Sequence, residues 1–301
     1  MHITTIGAAI VDVVVSTVQP MRGAKQDVEH IGLYAGGGAL NAAFNMAARG
    51  AQVAVHACVG ADLEGKLLRD LLQSRGIQPV LSTHRLPTGK SVVMVDDAGA
   101  ARAYAQRGAS AWVGEQGFAG LDRSDVVYVT GLSLESQAWL QAALAAMLRR
   151  PFRLVVTPGA RQLAHPDALR DLWAQADLLC VNAHEAVRLV QGDDGRLPAD
   201  DPPPEVARNL ARQLIRRPGQ TALLTLGAEG ALFFDGRAGH FHPVQPVDVV
   251  STIGAGDAFA SAFVHAWAGG APPQDALAAA TRSAAQVIQV VPANLAGPLQ
   301  A

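Results

Sequence analysis

An α/β fold with a mostly parallel central sheet is predicted by three features of the chain. Strand-like apolar runs alternate with helical ones almost throughout. The strand runs are near-continuously apolar, as strands buried on both faces must be, and the segments between them repeat their apolar residues at helical spacing. Strands alternating with helices in this way imply helices covering both faces of the sheet.

The strand runs, in order, are HITTIGAA, QVAVHA (52–57), DVVYVTG (125–131), RLVVTPG (153–159), DLLCVNA (177–183) and TALLTLG (221–227). Between them lie the helical runs ALNAAFNMAARG, DLEGKLLRDLLQSRG, SLESQAWLQAALAAMLRR and VARNLARQLIRR, and PPQDALAAATRSAAQVIQVV (272–291) is a further helix near the end. One region breaks the alternation. Residues 89–109 hold two extended runs about DDAG, a hairpin pattern, and a second extended stretch covers roughly 13–34. These extra strands suit a small β flap over one end of the sheet. GDDGRLPADDPPPE (192–205) is loop by composition.

Composition narrows the class of function. Of 301 residues half are apolar and 17% charged, ample for a large core, and the net charge is −2. Lys25, Lys66 and Lys90 are the only lysines, and the arginines are scattered, so there is no electrostatic footprint for nucleic acid. No apolar run reaches the length of a membrane span, and the N-terminus lacks the basic region of a signal peptide. Cys58 and Cys180 lie in apolar runs and read as reduced, buried thiols, so a cytoplasmic location is expected.

Two phosphate-loop patterns are decoys. GADLEGKL (60–67) matches G-x-x-x-x-G-K but places Leu67 where a hydroxyl would ligate Mg²⁺, and Asp62 and Glu64 put negative charge where phosphate would sit. PTGKS (87–91) lacks the upstream glycine. GAAIVD (7–12), with one glycine, is no dinucleotide fingerprint.

Other motifs carry two readings each. In AGGGALNAA (35–43), Asn41 is either a helix-capping amide or a ligand for hydroxyl groups. Asp12, expected at the end of the first strand, is either a turn residue or a contact for sugar hydroxyls. In VNAHEA (181–186), Asn182 and Glu185 fit a capping box, or face phosphate and the water shell of Mg²⁺. TLGAEG (225–230) suits nucleotide packing or an ordinary hairpin.

STIGAGDAFASAF (251–263) is the motif that chooses. Phe259, Phe263 and Trp267 recur every four residues, making a largely buried helix. Gly254 and Gly256 let its positive end approach a ligand, and Asp257 follows directly. A helix-dipole role explains the aspartate but not the glycines. Phosphoryl transfer explains both: turn N–H groups neutralise the migrating phosphoryl group, while Asp257 receives the proton of the attacking hydroxyl. The dipole is expected to keep Asp257 ionised.

Taken together, GAAIVD, GGGALN, VGADLEG, the hairpin after TGKS, VNAHE, TLGAEG and TIGAGDAFASAF resemble, in order and separation, the ribokinase-like (PfkB) carbohydrate kinase family along essentially the whole chain. The resemblance implies a three-layer α/β/α fold as one kinase domain over 1–301, with a β lid from about 13–34 and 89–109. It implies ATP- and Mg²⁺-dependent transfer of the γ-phosphoryl group to a hydroxyl of a sugar or nucleoside. Asp257 would be the base, with Gly254, Ala255 and Gly256 as anion hole. Asp12, Gly37, Gly38 and Asn41 would hold the acceptor. Asn182, Glu185, Thr225 and Gly227 would serve the nucleotide, Glu185 reaching Mg²⁺ through water. Lids of this family exclude water and often pair subunits, so a homodimer through the lid is an expectation.

Departures from the family pattern refine this. Ser251 stands where members usually carry an aspartate that helps bind a monovalent cation, so a flat response to potassium is expected. Ribokinases proper carry Lys where this chain has Gly38, and Asn where it has Ile10, which points away from free ribose. A nucleoside kinase of the pseudouridine type is the nearest alternative, and a catalytically silent sugar or nucleotide sensor a more distant one.

Overall fold

Nine strands form the central sheet of the computed structural model, which describes all residues except 17–26, 29, 97–100, 115–117, 148, 193–194, 198–201, 291–298 and 300–301. In spatial order they are β13 (Gly239–His242), β12 (Ala231–Phe234), β11 (Thr221–Thr225), β10 (Leu178–Asn182), β9 (Arg153–Val156), β8 (Val126–Val129), β1 (His2–Ile6), β4 (Gln52–Gly60) and β5 (Gln78–His84). All neighbours pair in parallel except β11–β12 and β12–β13. Chain order runs outward from β1 to β5, then restarts beside β1 at β8. Between β1 and β8 the sheet therefore has its topological switch point, where open α/β sheets leave a crevice beyond their carboxyl ends.

Alternate side chains along the strands feed two cores, which makes three layers. Tyr128, Val155, Cys180 and Leu223 pack with α1 (Gly38–Ala47), α2 (Leu63–Ser74), α8 (Ala255–Ala268) and α9 (Pro273–Ile288). Val127, Val129, Leu179 and Val181 pack with α3 (Leu134–Ala145), α5 (Pro166–Gln175), α6 (Ala183–Gln191) and α7 (Pro204–Leu214), together with Leu163 of the short α4 (Ala160–Leu163). This period-two alternation is what a sheet covered on both faces requires. Phe263 of α8 anchors that helix on the sheet, its ring centroid 4.9 Å from that of Phe233. Among the described residues no helix is long and apolar enough to cross a membrane.

A second sheet has the order β3 (His30–Gly36), β2 (Ile10–Ser16), β6 (Gly89–Val95), β7 (Ala101–Gln106). Val14, Tyr34, Val93 and Val95 form its own small core. The chain reaches it by breaking HITTIGAAIVD at Gly7, so Asp12 lies within β2 of the second sheet and not at the end of the first strand. A continuous apolar run hides that change of sheet. Much of the 13–34 stretch, most of the DDAG turn, part of the 192–205 loop and the last residue of the 272–291 helix lie outside the described residues.

The decoy loops have a structural role. Asp62 caps α2, accepting from the Gly65 amide at 2.9 Å, and also accepts from the Thr88 amide at 2.8 Å and the Thr88 hydroxyl at 2.5 Å. Lys90 pairs with Glu64. GADLEGKL and PTGKS are thus bound to each other, and the phosphate position is filled by the chain's own carboxylate.

Candidate active site

A cleft of about 310 Å³ opens where the switch point predicts it. Its wall follows the carboxyl ends of five neighbouring strands: Ala8 after β1, Thr130 after β8, Thr157 after β9, Asn182 closing β10 and Thr225 closing β11. Four strand spacings make that row about 19 Å long. Gly256 and Asp257, in the first turn of α8, complete the wall, so the cleft has the positive end of a helix dipole on one side.

Local sequence explains how α8 presents these residues. Gly254 is its N-cap with φ 79°, a left-handed conformation that favours glycine. A Cβ on Gly256 would meet nothing within 4 Å. The protein's own packing therefore does not demand a glycine there.

Asp257 is half-buried and accepts from the Asn41 amide at 2.8 Å. Burial pushes its carboxyl above the usual aspartate range, the Asn41 hydrogen bond opposes that, and the charge of Asp12 adds to it. Desolvation is the largest of these influences, and its direction is opposite to that of the helix dipole expected to hold Asp257 ionised. For a general base an upward shift moves proton affinity toward the operating range.

Asp12 is buried. Its Oδ1 accepts from the Ser91 hydroxyl at 2.5 Å, across the β2–β6 register that aligns the two residues. Burial raises its carboxyl and Ser91 partly offsets this. The glycine run makes room for it: a Cβ on Gly36 would fall 1.8 Å from Asp12 Oδ2. Gly37, the N-cap of α1, has φ 91°.

Asn182 and Glu185 realise the capping box. The Glu185 amide donates to Asn182 Oδ1 at 2.8 Å, and the Asn182 amide donates to Glu185 Oε2 at 2.9 Å. Both also line the cleft. The cap uses one oxygen of each, so Asn182 Nδ2 and Glu185 Oε1 remain for the cleft. Burial first, and the Asp257 charge as well, push the Glu185 carboxyl up, with the Asn182 amide opposing.

Of the residues singled out from the sequence, Gly38, Asn182, Glu185, Thr225, Gly256 and Asp257 line the cleft. Asn41 reaches it through Asp257. Asp12 stands on the second sheet and acts on Asp257 by charge. Gly37, Gly254 and Ala255 are adjoining turn or helix-start residues, while Gly227 opens the turn of the β11–β12 hairpin and is not in the lining. Sequence reasoning missed Arg107, Thr130, Thr157 and Gly159. The T-G and T-P-G endings of two predicted strands were the signal for Thr130, Thr157 and Gly159, since ligand contacts gather at strand carboxyl ends.

Beneath the cleft the Thr157 hydroxyl donates to Tyr128 Oη at 3.1 Å. Burial pushes the Cys180 thiol up to about 12, with Thr157 opposing. Cys180 therefore lines the cleft as a neutral group and not as a nucleophile.

An α/β protein with a switch-point cleft, a helix N-terminus at its wall and a half-buried aspartate in that first turn is built to handle an anionic group beside a proton acceptor. The chain belongs to the pfkB family of carbohydrate kinases, whose family model matches residues 1–298. It is 34% identical over 85 residues to the fructoselysine 6-kinase of Escherichia coli, covering 28% of this chain and only 33% of that enzyme. Over 236 residues it is 28% identical to the ATP-dependent ribose-1-phosphate kinase of Halopiger xanaduensis, covering 77% of this chain and 73% of that one. The fold is that of the ribokinase of Cryptococcus neoformans solved with ADP: TM-score 0.79 at 22% identity, covering 99% of this chain and 96% of that one.

Proposed function

We propose that the protein transfers the γ-phosphoryl group of ATP to a hydroxyl of a sugar or sugar-like substrate. The observation that carries this reading is Asp257: a half-buried carboxyl in the first turn of α8, held by Asn41 and next to an open glycine, on the wall of the switch-point cleft.

Each residue then has a task. Asp257 takes the proton of the attacking hydroxyl. The N–H groups of Gly254 and Gly256, at a helix start where amides lack intrahelical partners, stabilise charge on the phosphoryl group in flight, with Ala255 between them, whose amide donates to the Thr252 carbonyl at 3.3 Å. Asp12, Gly38 and Asn41 orient the acceptor, with Gly37 shaping the turn. Asn182, Glu185 and Thr225 serve the nucleotide, and Gly227 the turn beside it. The donor set fits Mg²⁺, which prefers one or two carboxylates plus phosphate and water. Glu185 and Asp257 each gain negative surroundings that a divalent cation relieves, and Glu185 Oε1 would hold it through water. When bound, the ion neutralises charge on the phosphate oxygens. Ser251 supports a reaction indifferent to potassium.

The second sheet acts as a lid that excludes water from the cleft. Its other face supports pairing with a second copy of the chain. Leu33, Val92 and Tyr104 are exposed on three of its strands, in rows aligned through Val13. Sedimentation velocity should show a dimer that Val92→Lys dissociates. The two free, buried cysteines suit the cytoplasm.

An ATP-consumption screen over pentoses, hexoses, keto-deoxy acids and nucleosides, with and without potassium, tests the reading. Phosphorylation of at least one hydroxyl acceptor is expected. A protein that binds these compounds and phosphorylates none would be a sensor, and the kinase reading would fail.

A further inference from the structure

A second, smaller cavity adjoins the cleft and shares Ala8, Arg107, Gly131 and Gly159 with it. Its volume is about 50 Å³. At about 10–15 Å³ per water, that is room for a group of three or four heavy atoms. Arg107, directly after the last strand of the second sheet, and Arg161, on α4, both line it, with Ser110 and Ser133 beside them. Among the described residues no Asp or Glu lines it.

The two arginines differ from others in the fold. Arg150 and Arg217 also converge, and there Asp177 lies between them, each guanidinium 2.5 Å from one of its oxygens. Arg107 and Arg161 have no such partner: among the described residues neither guanidinium makes a hydrogen bond or ion pair. The bonds at Arg107 are accepted by its carbonyl, from the Ser110 amide at 3.0 Å and the Ser110 hydroxyl at 2.6 Å. Both arginines are exposed, and two like charges at the rim of one small cavity favour an anion within it.

The position of the cavity says which reactant brings the anion. Asn182 and Thr225 stand at the β10–β11 end of the row of strand ends, whereas this cavity adjoins Ala8, Gly131 and Gly159, after β1, β8 and β9. That is the end where Gly38 faces the cleft and where β2 carries Asp12 away from Ala8.

We propose that Arg107 and Arg161 bind a carboxylate or phosphate on the phosphoryl acceptor, so that the substrate is a sugar acid or a sugar phosphate and not a neutral sugar or nucleoside. This rests on the kinase reading above and adds the acceptor class to it. Both groups offer the paired oxygens that a guanidinium fork recognises.

The experiment compares sugar acids, sugar phosphates and their neutral parents by steady-state kinetics and by titration calorimetry, with the parent protein, Arg161→Gln and Arg161→Lys. An anionic acceptor should exceed its neutral parent in kcat/KM, and whichever arm does so identifies the group. Arg161→Gln should raise KM for that acceptor about tenfold to a hundredfold with KM for ATP unchanged, and Arg161→Lys should recover part of the loss. Equal or better use of neutral acceptors overturns the proposal while leaving the kinase reading intact. A rise in KM for ATP alone would assign the arginines to the nucleotide and overturn it as well. If nothing is phosphorylated, the kinase reading fails, and calorimetry still decides: anion-dependent binding lost in Arg161→Gln supports the site, and equal binding of neutral and anionic forms refutes it.

Discussion

The side-chain amide of Asn41, in α1, donates to the carboxylate of Asp257, in α8, across 2.8 Å, although the two residues are 216 positions apart in the chain. That bond couples the helix after the glycine run to the helix of the GAGD turn. It also opposes the burial that raises the Asp257 carboxyl.

Asn41→Ala should therefore move the acidic limb of the kcat/KM profile to higher pH. A lost hydrogen bond to a charged group should also lower kcat/KM at neutral pH, by about tenfold or more. A pH–rate profile of the variant checks both, and an unmoved limb would separate Asn41 from the base.

Gly256→Ala separates the needs of the fold from those of the ligand. The added Cβ meets nothing within 4 Å, and alanine favours a helix over glycine by about 1 kcal/mol. Denaturant unfolding should show stability held or slightly raised, while kcat/KM falls because the methyl group stands in the cleft wall. Full activity would remove Gly256 from the anion hole.

At Asn182 the capping and nucleotide roles can be pulled apart. Asn182→Ala loses the cap and should cost about 1 kcal/mol of stability. Asn182→Ser keeps a capping oxygen but lacks the amide. Its stability should stay near the parent's while KM for ATP rises. An unchanged KM for ATP in the serine variant would leave Asn182 with the cap alone.

Asp257 should also cost stability, and the cost should depend on pH. Its folded-state proton affinity is raised by burial. Below the ordinary aspartate range both folded and unfolded chains hold the proton, so the two states are affected alike. As pH rises through the raised folded pKa, the native chain must ionise a half-buried group, and stability is lost. Asp257→Asn should thus melt higher than the parent at neutral pH, the difference shrinking toward zero below pH about 4. Thermal melts across that range check it, and a difference independent of pH would contradict the assignment.

Much of this architecture was legible in the residues. The alternation of apolar strands and periodic helices gave the parallel sheet because strands covered on both faces cannot hide their composition. Other elements left little trace. β5 is an edge strand with Pro79 second in it, a composition that argues against a central strand. The break at Gly7 moved Asp12 to the second sheet without interrupting the apolar run. At the site, GAGD was readable because two glycines before a carboxylate are hard to explain by helix capping alone. Asn182 and Glu185 were readable only as a pair of alternatives, and their geometry satisfies the capping box while leaving one polar atom of each for the cleft. Arg107 and Arg161 carried no signal at all, because their meeting depends on the second sheet ending beside α4.

The central claim is that Asp257 accepts the proton of the attacking hydroxyl. Turnover and acceptor affinity of Asp257→Asn, measured on the same preparation, test it most directly. Loss of the base should lower kcat by about 10²–10⁴-fold while calorimetry still detects acceptor and nucleotide binding. Turnover near the parent rate, with binding intact, would contradict the claim.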